Sequence, residues 1–157
     1  MKEAEPEMEL LSIRRMVDMP YNYHSGPYYG KYLQEIRDNK RLVGIKCPKC
    51  ATVYVPPRIV CPDCFCTMDE FVPLSGEGTI LAFTVVQIPY TDPDTGSHKD
   101  LPYTGAYIAL DGTACNVMHK LDEPDEKKIR PGMRVRAVFS DKRIGDYNTD
   151  IMYFTII

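Results

Sequence analysis

Four of the six cysteines fall in two Cys-x-x-Cys pairs, Cys47-Pro48-Lys49-Cys50 and Cys61-Pro62-Asp63-Cys64, with ten residues between the pairs. In each pair the two-residue spacer lets a tight turn direct both sulfur atoms toward one point. Two such turns brought face to face supply the tetrahedral set of four thiolates that structural Zn²⁺ sites prefer. The spacing therefore predicts a zinc ribbon with one zinc ion held by Cys47, Cys50, Cys61 and Cys64.

Other uses of the cysteines stay open on sequence alone. Two disulfides would need an oxidising compartment, and no apolar N-terminal stretch typical of a secretion signal is present. A redox-active pair is normally a single motif at the start of a helix, whereas these two motifs lie in turn-rich sequence. Cys66 could replace Cys64 as the fourth ligand, although the regular spacing favours Cys64. Cys115 stands alone in an apolar run and is predicted to be a small buried residue.

Composition limits the class of protein. The chain has 157 residues, 44% hydrophobic and 26% charged, which suits one ordinary domain or two small ones. The formal net charge of -3 provides no general attraction to phosphate backbones, so nucleic acid is not the first expected partner. No run approaches the roughly 18 apolar residues of a membrane span. We expect a soluble, cytoplasmic protein.

The chain divides into four predicted parts: an N-terminal extension (1–26), a helix (27–40), the zinc ribbon (41–70) and a β-barrel domain (71–157). Pro27 in the first turn favours a helix that ends at Asn39. An apolar stripe at three- and four-residue spacing runs along it, formed by Tyr29, Tyr32, Leu33 and Ile36. Such a stripe is usually core packing, but it would also serve as a docking surface for a partner.

The ribbon carries one further candidate at its tip. Proline fixes φ, so the sequence Pro56-Pro57-Arg58 predicts a stiff, exposed loop that presents Arg58. A rigid arginine beside a metal site is suited to binding a phosphate or carboxylate. Most exposed arginines are simply solvated, and both interpretations remain.

The last 87 residues read as short strands joined by turns. Strands are predicted at 79–88, 103–110, 113–120, 133–139 and 151–156, and Asp111-Gly112 predicts a hairpin with a type I′ turn. In the fourth strand, alternation places Val135, Ala137 and Phe139 inward and Arg134 and Arg136 outward. The proline-rich and glycine-containing residues 90–102 predict a long loop. The fold class is therefore mainly β, with a five-stranded OB-type barrel favoured over a small β-sandwich.

The order of these motifs resembles a known family. The chain resembles the zinc-ribbon/OB-fold proteins associated with acyl-CoA metabolism, long catalogued as a domain of unknown function. The resemblance rests on the helix, Cys47-x-x-Cys50, Pro56-Pro57-Arg58, Cys61-Pro62-x-Cys64, Ser75-Gly76-x-Gly78, Phe83-Thr84-Val85-Val86, Leu110-Asp111-Gly112 and Pro131-Gly132-Met133. The similarity runs from about residue 27 to the C-terminus.

This resemblance implies a rubredoxin-like ribbon packed on an OB barrel, with one structural zinc. It also implies a hetero-oligomer with a thiolase or related condensing enzyme, whose CoA or acyl-CoA the chain would share. In one archaeal branch such a protein bridges a thiolase and a hydroxymethylglutaryl-CoA synthase. In other branches it is the small subunit of a thiolase in fatty-acid, sterol or aromatic-compound breakdown. The extension and the insert at 90–102 depart from the common pattern and resemble the small subunit of a benzoylsuccinyl-CoA-type thiolase.

Seven side chains are candidates for contact with CoA or with the partner. Cations match the phosphates of CoA, aromatic rings stack on adenine, and the helix stripe would dock. The candidates are Arg58, Lys120, Arg134, Phe83, Tyr107, Tyr29 and Tyr32.

We expect no catalysis by this chain alone. A thiolase needs a nucleophilic cysteine with a base, whereas four cysteines here are assigned to metal, and a zinc with four thiolates has no open position for water. The three histidines, His24, His98 and His119, lie in unrelated elements. Two functions remain: a non-catalytic accessory subunit of a thiolase-like enzyme and, as the alternative, a module that binds single-stranded nucleic acid.

Overall fold

The computed structural model of the protein describes residues 24–89, 91, 96 and 100–157. Residues 1–23 of the predicted extension, and most of the loop at 90–99 including His98, lie outside the described residues. The elements are α1 (Gly26–Asn39), β1 (Val43–Lys46), β2 (Val53–Tyr54), β3 (Glu70–Pro73), β4 (Glu77–Val86), β5 (Tyr103–Leu110), β6 (Asn116–Leu121), a 3-10 turn (Glu126–Lys128), β7 (Arg134–Phe139), α2 (Tyr147–Asp150) and β8 (Ile151–Ile156).

Helix α1 forms where the sequence predicts it. Pro27 lies in its first turn, and Lys40 ends it in the left-handed conformation, with its N–H bonded to the carbonyl oxygen of Glu35. The side chains of Tyr32 and Ile36 are buried, and the helix packs against β1 and α2. The predicted apolar stripe therefore anchors the helix to the rest of the fold.

The ribbon is built on a three-stranded antiparallel sheet in the order β2-β1-β3. Strand β1 is buried throughout its first three residues because it lies between the other two strands. A Cβ atom at Gly44 would collide with the side chain of Val53, so only glycine fits this central position. Strand β3 continues the ribbon sheet to Pro73.

The remaining strands close into a five-stranded barrel in the order β4-β5-β6-β8-β7. Strand β4 pairs with β5 along its length and with β7 at its start, and a bulge interrupts its register between Ile80 and Ala82. The final contact, between β6 and β8, is parallel and rests on the single pair Leu121–Phe154. The mainly-β fold, with an N-terminal helix and a ribbon before a five-stranded barrel, is confirmed.

The turn after β5 differs from the prediction. Gly112 has a positive φ of 75°, but Asp111 does not, and a type I′ turn needs positive φ at both central residues. The type I′ prediction is therefore wrong. The hydroxyl of Thr113 donates to the carbonyl oxygen of Leu110 at 3.1 Å and accepts the N–H of Cys115 at 3.2 Å, so local side-chain bonds stabilise a longer connection.

Two clusters of buried residues are found in the part of the chain that the structure describes. The larger one fills the barrel and extends through Val43 and Val55 of the ribbon to Tyr32 and Ile36 of α1. The smaller one lies inside the ribbon and consists of Ile45, Cys47, Tyr54, Cys61 and Met68. The ribbon and helix are thus attached to the barrel by a continuous apolar core. Within the described residues, none of the helices is both long and apolar enough to cross a membrane.

Candidate metal centre and docking surface

Two knuckles of similar geometry present the four predicted ligands. In the first knuckle (residues 47–51) the N–H of Ala51 donates to the carbonyl oxygen of Cys47 at 2.9 Å, and in the second (residues 61–65) that of Phe65 donates to Cys61 at 3.0 Å. Ala51 and Phe65 both have positive φ, 60° and 53°. Each knuckle therefore closes on a left-handed residue directly after its second cysteine.

The sulfur atoms of Cys47, Cys50, Cys61 and Cys64 all lie within 4.8 Å of one another, and all six cysteines are free thiols. The Sγ atoms of Cys50 and Cys61 are 3.8 Å apart. Thiolates at about 2.3 Å from zinc in a tetrahedron are separated by about 3.8 Å, so the four residues fit one structural zinc ion. Cys47 and Cys61 are completely buried.

Tyr54 and Asp63 form an outer layer next to the second knuckle. The Tyr54 hydroxyl donates to the Asp63 carboxylate at 2.8 Å and lies 3.6 Å from the sulfur of Cys61. Burial opposes ionisation of Cys61, but its contacts with Tyr54 and with the amides of Cys64 and Asp63 outweigh burial and lower its pKa to about 6. The pKa of Cys64 shifts in the opposite direction, to about 12, because its contact with the Cys50 sulfur, burial and its contact with Cys47 favour the neutral thiol. The guanidinium of Arg58 lies 5.0 Å from the centre of the Tyr54 ring and is exposed.

A continuous apolar surface crosses the outer face of β4, β5 and β6. The bulge in β4 leaves both Leu81 and Ala82 exposed, Ala82 pairs with Tyr107 on β5, and Tyr107 pairs with Met118 on β6. Tyr107 is 53% and Met118 63% exposed. Met118 also lines a groove of about 240 Å³ with Tyr29 and Pro56, where barrel, helix and ribbon meet. We call Leu81, Ala82, Tyr107, Met118 and Tyr29 the apolar row.

Sequence reasoning identified Tyr29 and Tyr107 but missed Met118 and Leu81. The alternation of exposed and buried residues along β6 was the available signal for Met118. Leu81 was not predictable, because its exposure depends on the bulge. Tyr32 lies beneath the groove and is buried. It therefore supports this surface from below and contributes little exposed area to it.

The other candidates are distributed around the barrel. Lys120 is exposed on the outer face of β6, opposite Gly105, next to the row. Phe83 is half-buried and packs against the barrel core. Arg134 forms two bonds with Asp111, one of 2.7 Å, and one with Glu77 at 3.1 Å. Lys120 is thus a diagonal cross-strand neighbour of Tyr107 and also borders a second groove with Tyr103, whereas Arg58, Phe83 and Arg134 lie elsewhere.

The ion cluster around Arg134 neutralises its charge. Hydrogen bonds and charge from Arg134 lower the pKa of the Asp111 carboxyl, and those from Arg136 and Arg134 lower that of Glu77. Two arginines thus share two carboxylates that are already ionised. Arg134 has less positive charge to offer a phosphate than Lys120, for which no ion pair is found among the described residues.

An aromatic stack leads from the groove into the barrel. The Tyr29 and Tyr32 rings stack at 5.8 Å, Tyr32 and Tyr147 at 6.3 Å, and His119 meets Tyr147 edge-on at 5.2 Å. His119 is buried, and neither of its ring nitrogens has a hydrogen-bond partner within the described part of the chain; the hydroxyl of Tyr147 has none there either. Burial lowers the pKa of His119, and the nearby backbone groups of Lys120 and Tyr147 oppose this shift without reaching hydrogen-bond geometry. His119 is therefore a neutral core residue.

Comparisons with known proteins agree with this architecture. Residues 35–66 match the family model described as the rubredoxin-like zinc ribbon domain of ChsH2, and residues 71–140 match the one for the C-terminal OB-fold domain of ChsH2. A DUF35 domain-containing scaffold protein of Methanocaldococcus jannaschii is 32% identical over 68% of this chain and 72% of its own length. The chain belongs to the DUF35 family.

Two further scaffold proteins of this family are similar. The one from Methanothermobacter thermautotrophicus is 32% identical over 70% of this chain and 80% of its own length. The one from Pyrococcus furiosus is 28% identical over 78% of this chain and 86% of its own length.

Solved structures support the fold of this DUF35 protein. A chain of the structure described as "Ltp2-ChsH2(DUF35) aldolase" superposes with a TM-score of 0.63 at 23% identity, covering 83% of this chain and 95% of that one. A DUF35 protein of unknown function from Sulfolobus solfataricus gives a TM-score of 0.58 at 17% identity, covering 83% and 84%. At these identities the similarity establishes the fold alone.

Proposed function

We propose that this DUF35 protein is a non-catalytic scaffold subunit of an enzyme that forms or breaks a carbon–carbon bond of an acyl-CoA. The partner class is a thiolase-like enzyme. Two findings support a scaffold role: three relatives carry the description of scaffold protein, and one similar structure is described as an aldolase that includes a DUF35 chain. Aldolases and thiolases both act on carbon–carbon bonds, so the two partner types are chemically related.

The apolar row is the observation that carries the proposal. Large apolar side chains that stand next to one another on an exposed sheet face are typical of protein–protein interfaces. Tyr107 and Met118 are cross-strand neighbours, and both are more than half exposed. The outer face of the second and third strands is also where other OB folds bind their ligands. We therefore assign the partner enzyme to this face.

The acids and bases of this chain favour a non-catalytic role. His119 is buried among Tyr147 and Phe154, and His24 is occupied by the N–H of Gly26 at 2.8 Å. The buried carboxylate of Asp150 accepts the N–H groups of Ile144 and Gly145 at 2.9 and 2.8 Å, so it fixes a loop. The reacting groups would accordingly come from the partner.

A direct contact with CoA is a finer part of the proposal. Lys120 lies beside Tyr107, where a cation for a phosphate and a ring for adenine stand on one face. Arg58 is the second cation, held on the ribbon over Tyr54. Calorimetry of the purified complex with CoA checks this part: Lys120→Ala should weaken binding, and equal affinity would remove Lys120 from the CoA site.

The partner's substrate follows from the resemblance of the sequence to the small subunit of a benzoylsuccinyl-CoA-type thiolase, an enzyme of aromatic degradation. We propose an acyl-CoA with an aromatic acyl group. Turnover of aromatic and aliphatic 3-ketoacyl-CoA thioesters by the native complex would compare the two classes. Preference for the aliphatic substrate would contradict the narrower proposal and leave the scaffold role intact.

Affinity purification from the native cells tests the scaffold role. The wild-type chain should retain an enzyme that mass spectrometry identifies as acting on a carbon–carbon bond of an acyl-CoA, and Met118→Asp should lose it. Ile144→Asp is the matched control, since Ile144 is 76% exposed but lies by the C-terminal end of α1, away from the row. Recovery of the wild-type chain alone would contradict the proposal.

The alternative of single-stranded nucleic acid predicts a different result. Such sites combine a basic groove with several stacking aromatics, and their affinity falls steeply with salt. Fluorescence anisotropy with labelled single strands should show no salt-sensitive binding by the wild-type chain. Tight binding that is lost in Tyr107→Ala would favour the nucleic-acid module over the scaffold.

A further inference from the structure

A fifth sulfur borders the metal centre. The Sγ atom of Cys66 lies 3.5 Å from that of Cys47, across 19 residues of sequence. Cys66 is partly exposed and packs against the ribbon cluster that contains Cys47 and Cys61. From its sequence position two residues after Cys64, Cys66 would be taken as a substitute for Cys64. The structure instead places it beside Cys47.

The backbone holds Cys66 in this position. Its carbonyl oxygen accepts the N–H of Cys61 at 3.0 Å, and the adjacent residue Thr67 forms an isolated antiparallel bridge with Val60. The segment after the second knuckle therefore folds back against the segment that leads into it. This arrangement directs the thiol toward the first knuckle.

The distance matches the spacing between ligands of one zinc ion. Thiolates bound to the same tetrahedral zinc are separated by about 3.8 Å, and the contact between Cys66 and Cys47 has almost that length. A shift of about one atomic diameter would carry the Cys66 sulfur to the place of the Cys47 sulfur. Rotation about the Cα–Cβ bond alone carries a cysteine sulfur by about 3 Å, so this shift combines a change of rotamer with a small movement of the bound ion or of the backbone.

We propose that Cys66 is a reserve ligand of the metal centre, which takes the place of Cys47 at a bound thiophilic divalent cation such as Zn²⁺, Co²⁺ or Cd²⁺. While Cys47 is the ligand, the Cys66 S–H donates a hydrogen bond to its sulfur. The N–H groups of Lys49 and Cys50 contact the same sulfur at 3.4 and 3.5 Å. When the bond between the metal and the Cys47 sulfur breaks, the Cys66 thiol would pass its proton along its hydrogen bond to the Cys47 thiolate, and the Cys66 thiolate would complete the set of four.

This arrangement has a consequence for metal exchange. A ligand that a neighbouring thiol can replace lets one metal–sulfur bond break without leaving the ion with only three sulfur ligands, and an external chelator can then bind the ion during this replacement. The proposal gives Cys50, Cys61 and Cys64 no such substitute. One of the four metal–sulfur bonds can therefore be exchanged within the protein, and the other three cannot. The bonds to these three cysteines hold the two knuckles together during the exchange.

A ligand-deletion series on the full-length chain tests the proposal. Bound zinc is measured by elemental analysis after dialysis, and the number of thiolates is measured from the Co²⁺ charge-transfer absorption. Cys47→Ala should keep one zinc per chain and the absorption of four thiolates, whereas Cys47→Ala/Cys66→Ala should lose the metal. Cys61→Ala and Cys64→Ala, which have no reserve, should lose it as well.

Two results would overturn the proposal. One is loss of metal or of folding in Cys47→Ala to the same extent as in Cys61→Ala. The other is retention of metal in Cys64→Ala but not in Cys47→Ala, which would mean that Cys66 replaces Cys64 and not Cys47.

Kinetics provide a second test that does not depend on a weakened site. Cys66→Ala keeps the four principal ligands and should bind one zinc, but it should transfer that zinc to a chromogenic chelator several-fold more slowly than the wild-type chain. An unchanged transfer rate would contradict the replacement step. Cys115→Ala is the matched control, because the Cys115 sulfur accepts the N–H of Val55 at 3.4 Å. This variant should transfer zinc at the wild-type rate.

Discussion

The ribbon and the barrel are stabilised by different means. Among the described residues, the larger cluster contains sixteen buried residues, of which Val43 and Val55 come from the ribbon strands and their ends, whereas the cluster inside the ribbon contains five, two of them cysteines of the metal centre. A separate core of five residues is too small to hold the cysteine-bearing end of the ribbon by apolar burial alone, and small domains of this kind depend on metals or disulfides. The metal ion thus does in the ribbon what apolar packing does in the barrel.

The largest expected effect comes from removing the metal. Zinc binding supplies about 10–16 kcal/mol of apparent folding free energy to small zinc domains. In Cys61→Ser we therefore expect loss of zinc and unfolding of the ribbon, and with it loss of partner binding. Hydrogen exchange should show that amides of β1 and β3 lose protection while those of β5 and β8 keep most of theirs.

The matched control is chelation of the wild-type chain, which should give the same exchange pattern. Unfolding of β5 and β8 together with β1 and β3 would show that barrel and ribbon are one cooperative unit. It would contradict the view that the two regions are stabilised by different means.

A substitution in the barrel core should destabilise the barrel and leave the metal centre intact. Phe154 is completely buried and closes the barrel through its pairing with Leu121. Phe154→Ala should lower the free energy of unfolding by about 3–5 kcal/mol, the usual cost of removing a buried aromatic ring. Denaturant unfolding at saturating zinc measures this loss. Unchanged zinc content below the transition would confirm that the metal centre does not depend on this residue.

His119 is expected to weaken the barrel. An unpartnered buried polar group costs about 1–3 kcal/mol, so His119→Phe, which keeps the ring contacts with Tyr147 and Phe154, should stabilise the fold. Because burial lowers the pKa of His119, the unfolded chain binds its proton more readily than the folded chain. Wild-type stability should therefore fall as the pH drops below about 6.5, the ordinary histidine pKa.

The difference in unfolding free energy between the two proteins, measured with zinc saturating at each pH, isolates the histidine from the metal ligands. A wild type that is more stable than His119→Phe at every pH would mean that the ring nitrogens are satisfied in solution.

The smallest expected effect compares the two knuckles with each other. Ala51 and Phe65 both have left-handed backbones, which costs an L-residue roughly 1–2 kcal/mol relative to glycine. Ala51→Gly and Phe65→Gly should each raise the ribbon's stability by about that amount, measured as a lower zinc dissociation constant. Weaker zinc binding in either variant would show that the side chain stabilises its knuckle by more than the backbone strain.

Local patterns in the sequence predicted the metal centre and the class of fold. The ligand spacing encodes the two knuckles, Pro27 marks the helix, and alternation of apolar and polar residues marks β6 and β7. These signals depend on residues a few positions apart, so they can be read without the tertiary structure.

The features that the sequence did not reveal depend on contacts between distant residues. Strand β3 exists because it pairs with β1, and Leu81 is exposed because β4 bulges between its two partner strands. The contact between Cys66 and Cys47 likewise requires the chain to fold back after the second knuckle. The turn at Asp111-Gly112 was assigned to the wrong type because Thr113 makes side-chain bonds that a dipeptide signature does not include.

Methionine footprinting of the native complex tests the central claim, that the partner binds on the apolar row. Met118 lies within the row and is 63% exposed, and Met152 on β8 is 43% exposed and lies outside it. Under mild peroxide, both should be oxidised in the free chain, and in the complex Met118 alone should be protected. Equal oxidation of Met118 in the free chain and in the complex would contradict the account.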